Sequence, residues 1–145
     1  MVGLNGKEAR SQAMTNLDLM GLGDRAKGRV EKFSGGMKRR VNLAIALMGH
    51  PQIIFLDEPT VGIDPQSRNN IHEVIKELRK SGMTFLYTTH YMEEANQLCD
   101  RVAIMDSGQI IAMDTPLNLR KQVGPPDTVT LEDVFLKMTG RSLRD

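Results

Sequence analysis

Two adjacent carboxylates, Asp57 and Glu58, follow directly on the apolar run Ile53-Ile54-Phe55-Leu56. That run is too short for a helix of its own and suits a strand buried on both faces, as in a parallel sheet. Open α/β sheets place their ligands beyond the carboxyl ends of their strands. One carboxylate there can hold a magnesium ion, directly or through water, and the next can orient and deprotonate an attacking water. Taken alone, an apolar run closed by Asp-Glu equally describes a strand that simply ends in solvent.

A second candidate is Phe33-Ser34-Gly35-Gly36-Met37, which runs into an amphipathic stretch. Two glycines and a serine at a helix N-terminus leave backbone N–H groups open to an anion, and the helix dipole favours negative charge there. An ordinary Ser N-cap with a flexible entry has the same letters. Lys38-Arg39-Arg40 opposes the dipole in the first turn, which a nearby phosphate would offset; a solvated basic face accounts for it as well. The third candidate is His90, directly after Phe85-Leu86-Tyr87-Thr88-Thr89. A histidine at a strand's carboxyl end, on the sheet edge that carries Glu58, can touch a phosphate oxygen. A lone histidine is more often structural or exposed.

The elements that must position these groups follow from periodicity and punctuation. Ala9, Ala13, Leu17 and Met20 share one face of a helix over 7–20 that Gly21 stops. Residues 21–32 form a charged, glycine-bearing connection. Val41, Ala44, Ile45 and Met48 predict a helix from near Lys38, closed by Gly49 and Pro51. Asp64-Pro65 is an N-cap followed by proline at the first helical position, and Ile71, Val74, Ile75 and Leu78 continue as an apolar stripe to Gly82. Residues 84–88 predict a second buried strand and 91–99 a short helix. Residues 102–106 and 109–113 flank Ser107-Gly108, which predicts a β-hairpin with a two-residue turn. Thr115-Pro116 opens another helix, Gly124-Pro125-Pro126 is a linker, and Thr130 caps a last helix with the stripe Leu131, Val134, Phe135 and Met138. Strand, helix, strand, helix implies a parallel α/β sheet with a right-handed crossover.

The bulk properties narrow the function classes. With 145 residues, 40% hydrophobic and 26% charged, the chain can build a real core. A net charge of +1 gives no electrostatic footprint for nucleic acid or for an anionic membrane. No stretch approaches the roughly 20 apolar residues of a membrane span, and Lys7, Glu8 and Arg10 interrupt any signal-peptide pattern. The expectation is a cytoplasmic protein that meets a membrane only through a partner. The single Cys99 reads as a small buried hydrophobe, and no zinc-ligand spacing occurs.

Taken together, the three candidates resemble the ABC ATPase family. Ser34-Gly35-Gly36 resembles its signature motif, and Asp57 stands 21 positions after Gly36 with a helix between. Ile53 to Glu58 resembles the Walker B strand with its adjacent glutamate. Gly62-Ile63-Asp64 looks like the D-loop and Thr89-His90 like the switch histidine. Tyr91-Met92-Glu93-Glu94-Ala95, Leu98-Cys99-Asp100-Arg101 and Leu131-Glu132-Asp133-Val134-Phe135 are most similar to the drug-export branch, as in daunorubicin-resistance ATPases. Phe33, Met37 and Ile63 depart from the usual leucine, glutamine and leucine.

The resemblance implies a partial P-loop NTPase core, α/β, with parallel strands and helices, plus a C-terminal β-hairpin and helices. It implies residues 1–50 as the end of the helical subdomain, 51–124 as the C-terminal half of the nucleotide-binding core, and 125–145 as linker and C-terminal helix. By the same resemblance Asp57 assists magnesium, Glu58 is the general base, and His90 contacts the terminal phosphate. Ser34, Gly35 and Gly36 bind the ATP held by a second ATP-binding subunit, and Asp64 works across that dimer. The partners implied are that second subunit and a membrane-spanning permease, with no nucleic acid. No G-x-x-x-x-G-K-[ST] phosphate loop occurs in the 145 residues: Gly6-Lys7 is followed by Glu8. The expectation is therefore a truncated subunit of an exporter, inactive as an ATPase by itself. Two alternatives stand beside it. One is a non-enzymatic module that lends its signature motif in trans; the other is an ABC ATPase outside transport, which lacks support from any sustained heptad pattern.

Overall fold

Asn5 opens the first helix through a reciprocal cap. Its side chain accepts from the Lys7 and Glu8 amides, while the Glu8 carboxylate accepts from the Asn5 amide. That helix, α1 (Gly6–Leu19), is the first element of a computed structural model that describes residues 5–140. Two single 3-10 turns follow, at Gly23–Arg25 and Val30–Lys32. Then come α2 (Gly35–Ala46), β1 (Ile53–Asp57), α3 (Pro65–Lys80) and β2 (Thr84–Thr88). The remainder is α4 (Met92–Leu98), β3 (Val102–Asp106), β4 (Gln109–Asp114), α5 (Pro116–Lys121) and α6 (Leu131–Thr139). The chain divides into two compact units, Met1–Tyr87 and Thr88–Asp145.

In the first unit, β1 and β2 are neighbours in a parallel two-stranded sheet, and α3 makes the crossover between them. Asp64 caps α3 and Pro65 occupies its first position, so the helix begins where the sequence expects. One face of this sheet rests on a core of Met20, Leu22, Leu43, Ala44, Leu47, Ile54, Ile71, Val74 and Ile75, with Phe85 and Tyr87 packed against it. Asn16 is buried beside it, and its amide donates to the Ala44 carbonyl at 3.1 Å, tying α1 to α2.

Two sequence expectations change here. The helix expected from near Lys38 begins a turn earlier, at Gly35, because the Ser34 hydroxyl accepts from the Met37 amide and caps it. The strands expected to be buried on both faces are buried on one. Side chains alternate across a strand, and the helices of this unit cover only the Ile54 side. On the other side Ile53, Phe55 and Leu86 are exposed.

In the second unit, β3 and β4 form the expected antiparallel hairpin, and Ser107 and Gly108 both take positive φ, as a type I′ turn requires. The register runs from Val102 opposite Asp114 to Ile104 opposite Ala112, then shifts to Met105 opposite Ile110. Ile111 is the extra residue of that bulge. Ile104 joins Ala95, Leu119, Leu131 and Val134 in a second core, with Cys99 partly buried against it. Thr115 caps α5 and Thr130 caps α6, as the sequence predicts, and the Asp133 carboxylate makes the second cap reciprocal.

Candidate functional site

The carboxyl end of β1 carries the two acidic residues. Asp57 is exposed and Glu58 half-buried, and the chain then turns inward through Pro59 to Thr60, which is fully buried. Glu58 has φ 42°, the left-handed region that non-glycine residues rarely occupy. Its carbonyl accepts from the Val61 amide at 3.3 Å and from the Arg39 guanidinium at 3.0 Å. Arg39 lies on α2, so the helix that follows the glycine loop is bonded to the residue following Asp57. A cleft of about 230 Å³ beside them is lined by Arg39, Asn42, Phe55, Asp57 and Pro59, among others.

The glycine loop and the start of α3 are packed together. Gly36 is buried, and a Cβ on it would collide with the Ser67 hydroxyl, lie 2.5 Å from the Ser67 Cβ and lie 3.1 Å from the Asp64 carboxylate. Gly35 is less confined, since a Cβ there would meet only the Gly62 carbonyl, at 3.9 Å. Helix geometry leaves the amides at the first positions of α2 without an intrahelical acceptor. Ser34 takes the one at Met37, which leaves those of Gly35 and Gly36 suited to an anion. Asp64 accepts from the Ser67 amide at 2.8 Å. Hydrogen bonds from the Ser67 amide and hydroxyl hold its carboxyl below the ordinary aspartate value. Gly36 and Asp64, two positions singled out in the sequence, thus pack together, with Ser34 and Gly35 next to Gly36 along the chain; Asp57 ends β1 and Glu58 is the first residue after it.

His90 belongs to the second unit. It is exposed, with its ring tilted against Tyr91 at a centroid distance of 4.2 Å. The Thr89 hydroxyl accepts from the Tyr91 amide at 2.9 Å and donates to the buried Glu94 carboxylate at 3.0 Å. This turn sets the backbone around His90 and leads into α4. A hollow of about 270 Å³ borders it, lined by His90 to Glu93 from one side and by Thr130, Leu131 and Glu132 from the other.

The sequence does not single out Arg39, Ser67 or Glu94 for these contacts. The basic triplet Lys38-Arg39-Arg40 was visible, but nothing local marks which of its members reaches a carbonyl 19 residues away. Thr-x-x-x-x-Glu across a strand–helix junction is the only trace of the Thr89–Glu94 pair.

Among the described residues no three His, Cys, Asp or Glu side chains converge as a self-sufficient metal cage. Asp57 offers a single hard oxygen donor, which suits a magnesium ion whose other ligands are phosphate and water. The amides at the start of α2 suit phosphate in the same way. Among the described residues no helix is long and apolar enough to cross a membrane.

Similar proteins are known. Residues 3–61 match the family model described as ABC transporter. The chain is 50% identical over 131 residues to the linearmycin resistance ATP-binding protein of Bacillus subtilis, covering 90% of this chain and 42% of that protein. It is 41% identical over 122 residues to the daunorubicin/doxorubicin resistance ATP-binding protein of Streptomyces peucetius, covering 84% of this chain and 37% of that one. The chain therefore spans about two fifths of the length of these relatives. A solved ATP-binding subunit of an ABC transporter superimposes with a TM-score of 0.78 at 27% identity, over 94% of this chain and 56% of that one.

Proposed function

We propose that the chain belongs to the ABC transporter family, whose model it matches over residues 3–61, and that it is part of the ATP-hydrolysing subunit of a drug-resistance-type exporter. The observation that carries the reading is the Ser34-Gly35-Gly36 turn, packed through Gly36 against Asp64 and Ser67, with Asp57 at the end of β1 and Glu58 directly after it.

In this reading each group has one task. Asp57 holds magnesium, directly or through water. Glu58 accepts the proton of the attacking water. Glu58 is partly buried, and its pinned carbonyl holds the backbone that carries the carboxylate. His90 donates to the terminal phosphate. Ser34 and the amides of Gly35 and Gly36 bind the phosphates of a nucleotide held by a second ATP-binding subunit. Asp64, anchored by Ser67, faces the same interface. ATP with magnesium supplies the phosphoryl group whose transfer to water drives transport. A membrane-spanning permease is the second partner and places the subunit at the cytoplasmic face. The relatives' resistance functions suit an exporter of drug-like molecules.

No phosphate loop occurs within these 145 residues, and the backbone amides and lysine of such a loop are the main donors to the β- and γ-phosphates. The 145-residue chain alone is accordingly expected to bind ATP weakly and release no phosphate. In a subunit that also contains the loop, Glu58→Gln is expected to retain ATP binding and lose roughly 10²–10⁴-fold in turnover. Calorimetry and phosphate release measure both. Undiminished turnover in Glu58→Gln, or steady hydrolysis by the 145-residue chain, overturns the reading.

A further inference from the structure

We propose that Arg39 is a positioning residue for the Glu58 carboxylate and links the glycine loop's helix to the base. The inference rests on the reading of Glu58 as the base, and on three features of the structure.

First, Glu58 holds a left-handed backbone conformation at φ 42°. It also precedes Pro59, whose ring disfavours helical conformations in the residue before it. A residue so placed keeps its conformation only when its surroundings hold it. Second, the restraint is visible: the Arg39 guanidinium donates to the Glu58 carbonyl at 3.0 Å, and the Val61 amide donates to the same oxygen. A charged donor makes the stronger of the two bonds. Fixing that carbonyl fixes the peptide plane after Glu58, and with it the direction of the Cα–Cβ bond from which the carboxylate is carried. Third, Arg39 lies five residues after Ser34 on one unbroken helix. A displacement at Ser34-Gly35-Gly36 therefore moves the guanidinium as a rigid body. Filling the signature loop would tighten or release the bond to Glu58, so the site that senses the second subunit's nucleotide acts on the base of its own subunit.

The test uses an ATP-hydrolysing subunit that contains this segment, together with the 145-residue chain. Arg39→Met keeps the apolar stem and removes the donors. It is expected to lower kcat about tenfold, the rate equivalent of one charge-assisted hydrogen bond, with KM for ATP nearly unchanged. Arg39→Lys is expected to restore most of kcat. In a Glu58→Gln background, Arg39→Met should add no further loss, because the two act on one step. In the 145-residue chain, hydrogen exchange at the Val61 amide should quicken in Arg39→Met while the amides of α2 stay protected. If Arg39→Met fails to fold, Arg39→Gln carries the same measurements. An unchanged kcat, or a loss that Lys does not rescue, overturns the proposal and leaves Glu58 as the base. Full turnover in Glu58→Gln overturns the underlying reading instead.

Discussion

Ile54 and Phe55 are neighbours in β1, both large and apolar, and they live in opposite surroundings. Ile54 is 4% exposed and lies in the core with Leu43, Ile71 and Val74, whereas Phe55 is 74% exposed. The contrast extends across the sheet. Phe85 and Tyr87 of β2 pack toward the core, and Leu86 between them is 55% exposed. Side-chain chemistry does not separate the two faces; the cover does. An apolar strand states that both its faces can be buried. Whether both are depends on other elements, and in this chain the helices of the first unit cover one.

The comparison can be broken most directly by truncation. Ile54→Ala or Ile71→Ala in the 145-residue chain should lower stability by about 2–5 kcal/mol, the cost of a buried cavity. Phe55→Ala should cost no more than about 0.5 kcal/mol, as at ordinary exposed positions. Urea midpoints at constant m-value measure both. A Phe55 cost equal to that of Ile54 would show that the outer face is covered in solution.

The two glycines of the loop sharpen the same point at closer range. Gly36→Ala should destabilise by about 1–3 kcal/mol through overpacking against Ser67, while Gly35→Ala should stay within about 0.5 kcal/mol. Adding Ser67→Gly should recover part of the Gly36→Ala loss. Equal costs at the two glycines would mean that conformation, not room, selects them.

The smallest effect concerns caps in the two units. Asp64 and Asp133 both have carboxyls held below the ordinary value, by bonds from Ser67 and Thr130 respectively. A depressed folded value means that their contribution is fully present above the unfolded pKa and is lost as pH falls through the folded one. Asp64→Asn and Asp133→Asn should each flatten the fall of stability with acid below the ordinary aspartate range. Denaturation across a pH series checks this. An unaltered slope in both would place the acid sensitivity elsewhere.

Much of the scaffold is readable because its boundaries are written locally. Asp64-Pro65, Thr115-Pro116 and Thr130 cap helices within three residues of themselves, and Ser107-Gly108 turns the hairpin between its own strands. The start of α2 was harder, because its first two positions are glycines and add nothing to an apolar period. The site residues were legible as types in order along the chain. Their packing was not, since the Gly36–Ser67 contact and the Arg39–Glu58 bond join segments whose spacing no periodicity records. The exposure of Phe55 was hidden for the opposite reason: the strand's own pattern is the same whether or not anything covers it.

The two sheets also differ in the chain length that separates their strands, and that sets the order in which they form. β3 and β4 are joined by two residues, and such hairpins close in about 1–10 μs. β1 and β2 are parallel, and all of α3 must be traversed before their backbones meet, so their pairing waits on a costlier loop closure. During refolding the hairpin is an early, local event, and the parallel pair forms once α3 has docked. On a ribosome, β1 emerges well before its neighbour has been made, and its backbone groups on that side wait unpaired through the interval.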